Sequence, residues 1–107
     1  MDHMASAPVL PDGLPVDVVR LDEVCRRYRV EELAVFGSVA RAEASVDSDI
    51  DLLYVLQPAA QLGFALNRLE DELAGIFGRS VDLVSRRGLH PLLRDEIEAE
   101  ARTLYVG

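Results

Sequence analysis

Two aspartates one residue apart, Asp49 and Asp51, open the apolar run Ile50 to Leu56, and ten residues separate them from the pair Gly37-Ser38. In an extended strand alternate side chains share a face, so the two carboxylates lie close together. At an effective dielectric near 20, unit charges about 4 Å apart repel by roughly 4 kcal/mol. A divalent cation is the simplest group to offset that repulsion, and hard oxygen ligands favour Mg²⁺ or Mn²⁺. Upstream, Leu33 to Phe36 is a short apolar run that ends at Gly37-Ser38, a usual junction from strand to helix. Ser38 reads as the N-cap of a short helix reaching about Glu43, and Gly37 lets the backbone approach a ligand. The free amides of such a helix start suit a phosphate. Arg41, one turn further on, is placed for a bidentate contact. Taken singly, Gly-Ser is a common turn and Asp47-Ser48-Asp49 can be a solvated one. What is specific is the order: Gly37-Ser38, then Asp49-x-Asp51 opening a buried strand.

Three other aspartate or phosphate motifs fail on their own rules. A calcium loop begun at Asp47 needs glycine at its sixth position and glutamate at its twelfth, where Leu52 and Pro58 stand. A phosphatase-type Asp-x-Asp follows its strand, whereas this pair opens one. A Walker A loop needs a lysine, and every one of the 11 basic residues is arginine.

The elements that must position these residues follow from periodicity. Leu14, Val18, Leu21, Cys25 and Tyr28 form one helical stripe, which places Cys25 on a buried face. Arg20, Arg26, Arg27 and Arg29 fall mostly off it, as a solvated face would. Leu33 to Phe36 and Ile50 to Leu56 are strands; the second is apolar on both faces, as a covered central strand is, and Gln57-Pro58 closes it. Leu62, Leu66, Leu69, Leu73 and Ile76 mark the longest helix, with Gly78 as its C′ glycine. Glu70, Asp71 and Glu72 lie on its outer face as solvating groups. Ser80 to Val84 is a third strand with Asp82 inside it, and a buried carboxylate there needs a partner. The plainer alternative is an edge strand with Asp82 facing water; beside Asp49 and Asp51, convergence of the three on shared metals is the preferred reading. Arg86-Arg87-Gly88 is a turn whose arginines are candidates to meet nucleotide or partner. Pro91 suits the first turn of a last helix, His90 reads as its starting residue rather than a base, and Leu104 to Val106 is a strand-like tail.

Helices alternating with three strands on 107 residues make one α/β domain, residues 14–107, after a tail of residues 1–13 without apolar periodicity. The formal charge of −8 argues against broad, sequence-independent nucleic-acid binding, yet permits a nucleotide escorted by cations. One cysteine excludes an intramolecular disulfide and a thiolate cluster. No run approaches a membrane span or a secretion signal, so the expected location is cytoplasmic.

Gly37-Ser38-Val39-Ala40-Arg41 followed by Ser48-Asp49-Ile50-Asp51-Leu52 resembles the signature of the nucleotidyltransferase fold shared with polymerase-β-type enzymes. The short chain is most similar to minimal nucleotidyltransferases, whose partners are HEPN-domain toxins, and the resemblance covers residues 16–105. It implies an α/β (α+β) fold with a small mixed sheet flanked by helices. It also implies that Gly37 and Ser38, with Arg41, bind the nucleotide phosphates. Asp49, Asp51 and Asp82 are then the catalytic and metal-holding carboxylates, around two Mg²⁺ (or Mn²⁺) ions with ATP as substrate. One departure stands out: many members have glycine where this chain has Ala42. The function so implied is transfer of AMP from ATP to a protein hydroxyl, a tyrosine of a HEPN toxin, by an antitoxin. The alternatives are an antitoxin that neutralises its partner by binding alone and a transferase acting on a small molecule.

Overall fold

The computed structural model of the protein describes residues 16–43 and 49–107. Leu14, Asp47 and Ser48, each singled out in the sequence, lie outside that set, as does the 1–13 tail. Helix α1 (Val18–Arg27) starts at Asp17, whose side chain accepts from the Arg20 N–H. Val16 before the cap and Leu21 in the first turns are both buried in one core cluster, the arrangement of a hydrophobic staple. Strand β1 (Val30–Phe36) leads into the four-residue helix α2 (Gly37–Ala40), and strand β2 spans Ile50–Leu56. A 3-10 turn at Gly63–Ala65 precedes helix α3 (Leu66–Phe77), which stops at Gly78 with φ 70°. Strand β3 (Val81–Ser85), helix α4 (Pro91–Glu100) and strand β4 (Arg102–Val106) complete the order.

The strands form a mixed sheet in the order β3-β2-β1-β4, with β2 parallel to β3 and β1 antiparallel to both β2 and β4. The expected small mixed sheet with flanking helices is therefore found, with a fourth strand where the sequence suggested a strand-like tail. β1 begins three residues earlier than its apolar run, because Glu31 and Glu32 belong to the strand despite their charge; the ladder shifts register between Val30 and Glu32. Cross-strand partners share a face, so Leu33, Val35, Ile50, Leu52 and Leu83 point one way. They pack there with Leu21, Cys25, Leu69 and Leu73 of α1 and α3. The opposite face has a smaller core of Ala34, Leu53 and Leu89, covered by Ile97 and Ala101 at the end of α4.

Several expectations from periodicity need adjusting. Val18 is 41% exposed, so the buried stripe of α1 is Leu21, Val24 and Cys25, and Cys25 is buried as expected. Burial pushes the Cys25 thiol up to about 12, which keeps it protonated and inert. The acidic cluster on α3 does more than solvate. Glu72 accepts from Arg27 at 2.5 Å and also from the Tyr28 hydroxyl, tying α3 to α1. Glu70 accepts from the Leu83 N–H at 3.2 Å, satisfying a donor on the open side of edge strand β3. His90 caps α4 by accepting from the Leu92 N–H through Nδ1 at 3.1 Å, and Pro91 occupies the first turn, both as read from the sequence. No described helix is long and apolar enough to cross a membrane.

Candidate active site

The alternation that buries Leu52 on the larger core turns Asp51 to the α4 face. Phe36 and Asp51 are cross-strand partners in β1 and β2, and Asp51 and Asp82 are partners in the parallel pair β2 and β3. Asp82 is thus beside Asp51 on the same face, 31 positions away along the chain. Asp49 immediately precedes β2. Burial first, then the negative charges of Asp82 and Asp49, hold the Asp51 carboxyl above its usual value, while Arg41 opposes the rise. The charges of Asp49 and Asp82 therefore reach the Asp51 carboxyl. Asp51 is half-buried, whereas Asp49 and Asp82 are exposed. Asp82 is not the buried carboxylate its apolar neighbours suggested, because β3 is the edge of the sheet and α4 covers that face only in part.

Gly37 joins the two halves of the site. Its φ of 75° lies in the left-handed region, and a Cβ there would collide with the Asp51 carboxylate, so both conformation and space demand glycine. Ser38 does not cap the helix as expected. Phe36 holds the cap position without a side-chain bond, and Ser38 lies half-buried inside the first turn. The reason is that α2 starts one residue early, at the left-handed Gly37, and it ends at Ala40 rather than near Glu43. Arg41 follows at the C-terminal end, and Ala42 adopts φ 58°. That left-handed turn accounts physically for a preference for glycine at this position.

A fourth acid in the site gave no signal in the sequence. Glu100, the last residue of α4, accepts from the Gly37 N–H at 2.7 Å and from Arg41 Nη1 at 2.9 Å. Arg41 Nε donates to Glu43 at 3.0 Å. Arg86, read as a candidate ligand contact, is structural. It donates to Glu98 at 2.9 and 2.6 Å and pairs with Glu32 at 2.6 Å, binding α4 to β1. Arg87 donates to the Leu56 carbonyl at 3.2 Å.

Among the described residues no group of three His, Cys, Asp or Glu side chains is drawn together as a finished metal-ligand set. The donor chemistry of Asp49, Asp51 and Asp82 nevertheless fits a hard divalent cation. All are carboxylate oxygens, and burial together with the neighbouring negative charges already raises the proton affinity of Asp51.

Comparison with known proteins agrees with this fold. A Methanocaldococcus jannaschii relative named as a protein adenylyltransferase is 39% identical over 75 residues, covering 70% of this chain and 80% of its own. The protein adenylyltransferase MntA of Thermococcus cleftensis is 39% identical over 67 residues, covering 63% of this chain and 67% of its own. A solved minimal nucleotidyltransferase superposes with TM-score 0.66 at 41% identity, covering 79% of this chain and 86% of that one. A toxin-antitoxin structure with AMP-PNP, at 20% identity, shares the fold with TM-score 0.67 over 86% of this chain and 75% of that one. The nucleotidyltransferase domain model matches residues 20–104, from α1 into β4, and the chain belongs to the nucleotidyltransferase domain family.

Proposed function

We propose that this chain is a metal-dependent nucleotidyltransferase that moves AMP from ATP onto a partner protein's hydroxyl, a tyrosine of a HEPN toxin, and thereby acts as an antitoxin. The observation that carries the reading is the pairing of Asp51 with Asp82 across β2 and β3, beside the Gly37 turn. Relatives named as protein adenylyltransferases support the reaction, and a related toxin-antitoxin structure with AMP-PNP supports the nucleotide and the partner.

Asp49, Asp51 and Asp82 would hold Mg²⁺ or Mn²⁺, in the two-ion arrangement the family resemblance implies. When bound, the metal supplies positive charge that neutralises the triphosphate and the carboxylates. The Gly37 N–H, Ser38 and the Arg41 guanidinium orient the outer phosphates. The acceptor hydroxyl oxygen attacks the α-phosphorus, a new P–O bond forms, and the bond to the α,β-bridging oxygen breaks to release pyrophosphate. Asp82, exposed at the sheet edge, takes the hydroxyl proton. Its exposure leaves room for an acceptor presented by another protein.

The test is to incubate the protein with ATP labelled at the α-phosphate, Mg²⁺ and the protein encoded by the neighbouring reading frame. Label on that protein, lost with Asp49→Asn, is the expected result; no label with either form would overturn the proposal. A second reading, neutralisation by binding alone, draws support from the left-handed Ala42 in the site. Under it Asp49→Asn would neutralise the toxin as well as the parent does.

A further inference from the structure

Glu100 is an anion seated where the proposed function needs a phosphate. Its two oxygens divide between the Gly37 N–H at 2.7 Å and Arg41 Nη1 at 2.9 Å, contacts that span 63 and 59 positions of the chain. Bonds from a guanidinium or an amide to a carboxylate are the stronger kind, and a bridging acid satisfies both donors at once. Arg41 is also held by Glu43, so its guanidinium is bracketed by two carboxylates. The side chain is 22% exposed and projects from the last residue of α4. Its placement has an electrostatic drawback, since its charge adds to those that raise the proton affinity of Asp51. A carboxylate kept close to other carboxylates needs compensating donors, and Gly37 and Arg41 supply them.

We infer that Glu100 is an internal stand-in for the triphosphate: it occupies the Gly37 and Arg41 donors in the nucleotide-free protein and must be displaced when nucleotide binds. This rests on the reading of Gly37 and Arg41 as phosphate-binding groups. Glu100 then sets nucleotide affinity by competing for the Gly37 and Arg41 donors. A ligand that must first displace an internal competitor binds more weakly by the fraction of time the site stands open. Removing the competitor's charge returns that factor.

The experiment is calorimetric titration of the full chain, as parent, Glu100→Gln and Glu100→Asp, with AMP-PNP and Mg²⁺, inorganic tripolyphosphate and Mg²⁺, and adenosine. Circular dichroism confirms that each variant is folded. Glu100→Gln keeps the side-chain length without the charge and should tighten AMP-PNP and tripolyphosphate roughly 3- to 30-fold. Adenosine, which has no phosphate to compete, should be unchanged. Glu100→Asp keeps the charge on a stem one carbon shorter and should fall between. A merely structural Glu100 would alter all three ligands alike or none of them. Unchanged or weaker AMP-PNP binding by Glu100→Gln overturns the inference, and weaker binding would make Glu100 a ligand-holding group instead. If the parent binds AMP-PNP and the variants do no better, this inference alone fails. If neither parent nor variants bind it, the proposed function fails as well.

Discussion

The two faces of the sheet do different work. On one, Leu33, Val35, Ile50 and Leu52 meet α1 and α3 in a continuous apolar core that includes the fully buried Leu69 and Leu73. On the other, Ala34, Leu53 and Leu89 make a thin core under α4, and the same face gathers Asp51, Asp82 and Glu100. Strand β2 belongs to both: Ile50 and Leu52 bury in the larger core, and Asp51 and Leu53 face α4. The difference teaches how so small a domain carries mutually repelling charges. One face supplies the hydrophobic stabilisation, which leaves the other free to hold groups that repel until a ligand arrives.

The comparison breaks most sharply at Asp51. Asp51→Asn should reduce AMP transfer at least about a hundredfold while leaving the far-ultraviolet circular dichroism unchanged. A variant that unfolds instead would place Asp51 among the stabilising groups.

On the larger core, Leu73→Ala removes a fully buried side chain and should lower unfolding stability by about 2–5 kcal/mol in urea titration. Ile97→Ala on the thin face, where Ile97 is only partly buried, should cost about 1 kcal/mol. Equal losses would erase the distinction between the faces.

Ala42→Gly relieves a left-handed alanine at φ 58° and, after glycine's extra chain entropy, should stabilise by about 0.5–1 kcal/mol in the same titration. Destabilisation would mean the turn is already relaxed around the methyl group.

A pH comparison concerns Asp51 as well. Its carboxyl is held above the ordinary value in the folded chain, so its ionised form disfavours folding. The folded state is therefore favoured below the unfolded value near 3.8 and loses that advantage as pH rises through the folded value. In metal-free buffer, Asp51→Asn should melt a little above the parent at neutral pH, and the gap should close by about pH 4. A gap that widens on acidification would reverse the sign of the argument.

Much of this was legible in the sequence because it is written locally. Asp49 and Asp51 flank Ile50, Gly37 ends its strand, and Gly78 and Pro91 punctuate their helices where read. Asp82 was legible as a residue type inside a strand, but its exposure depends on β3 lying at the sheet edge, and strand order is not local. The first turn of α2 was misplaced because Ser38 looks like a cap only if Gly37 is not already helical. Glu100 and Arg86 were hidden for the same reason as the edge. Glu100 reads as an ordinary charged residue, and Arg86 as a candidate contact for nucleotide or partner, until α4 is laid across the sheet, bringing Glu100 to Gly37 and Arg86 between Glu32 and Glu98.

Asp82 offers the most direct measurement, since it reaches the site only through the parallel pairing of β2 and β3. Transfer of α-labelled AMP to the protein encoded by the neighbouring reading frame, measured with the parent and with Asp82→Asn under conditions where both bind that protein equally, should fall at least about a hundredfold in the variant. Undiminished labelling by Asp82→Asn would contradict the assignment of the three aspartates to one transfer centre.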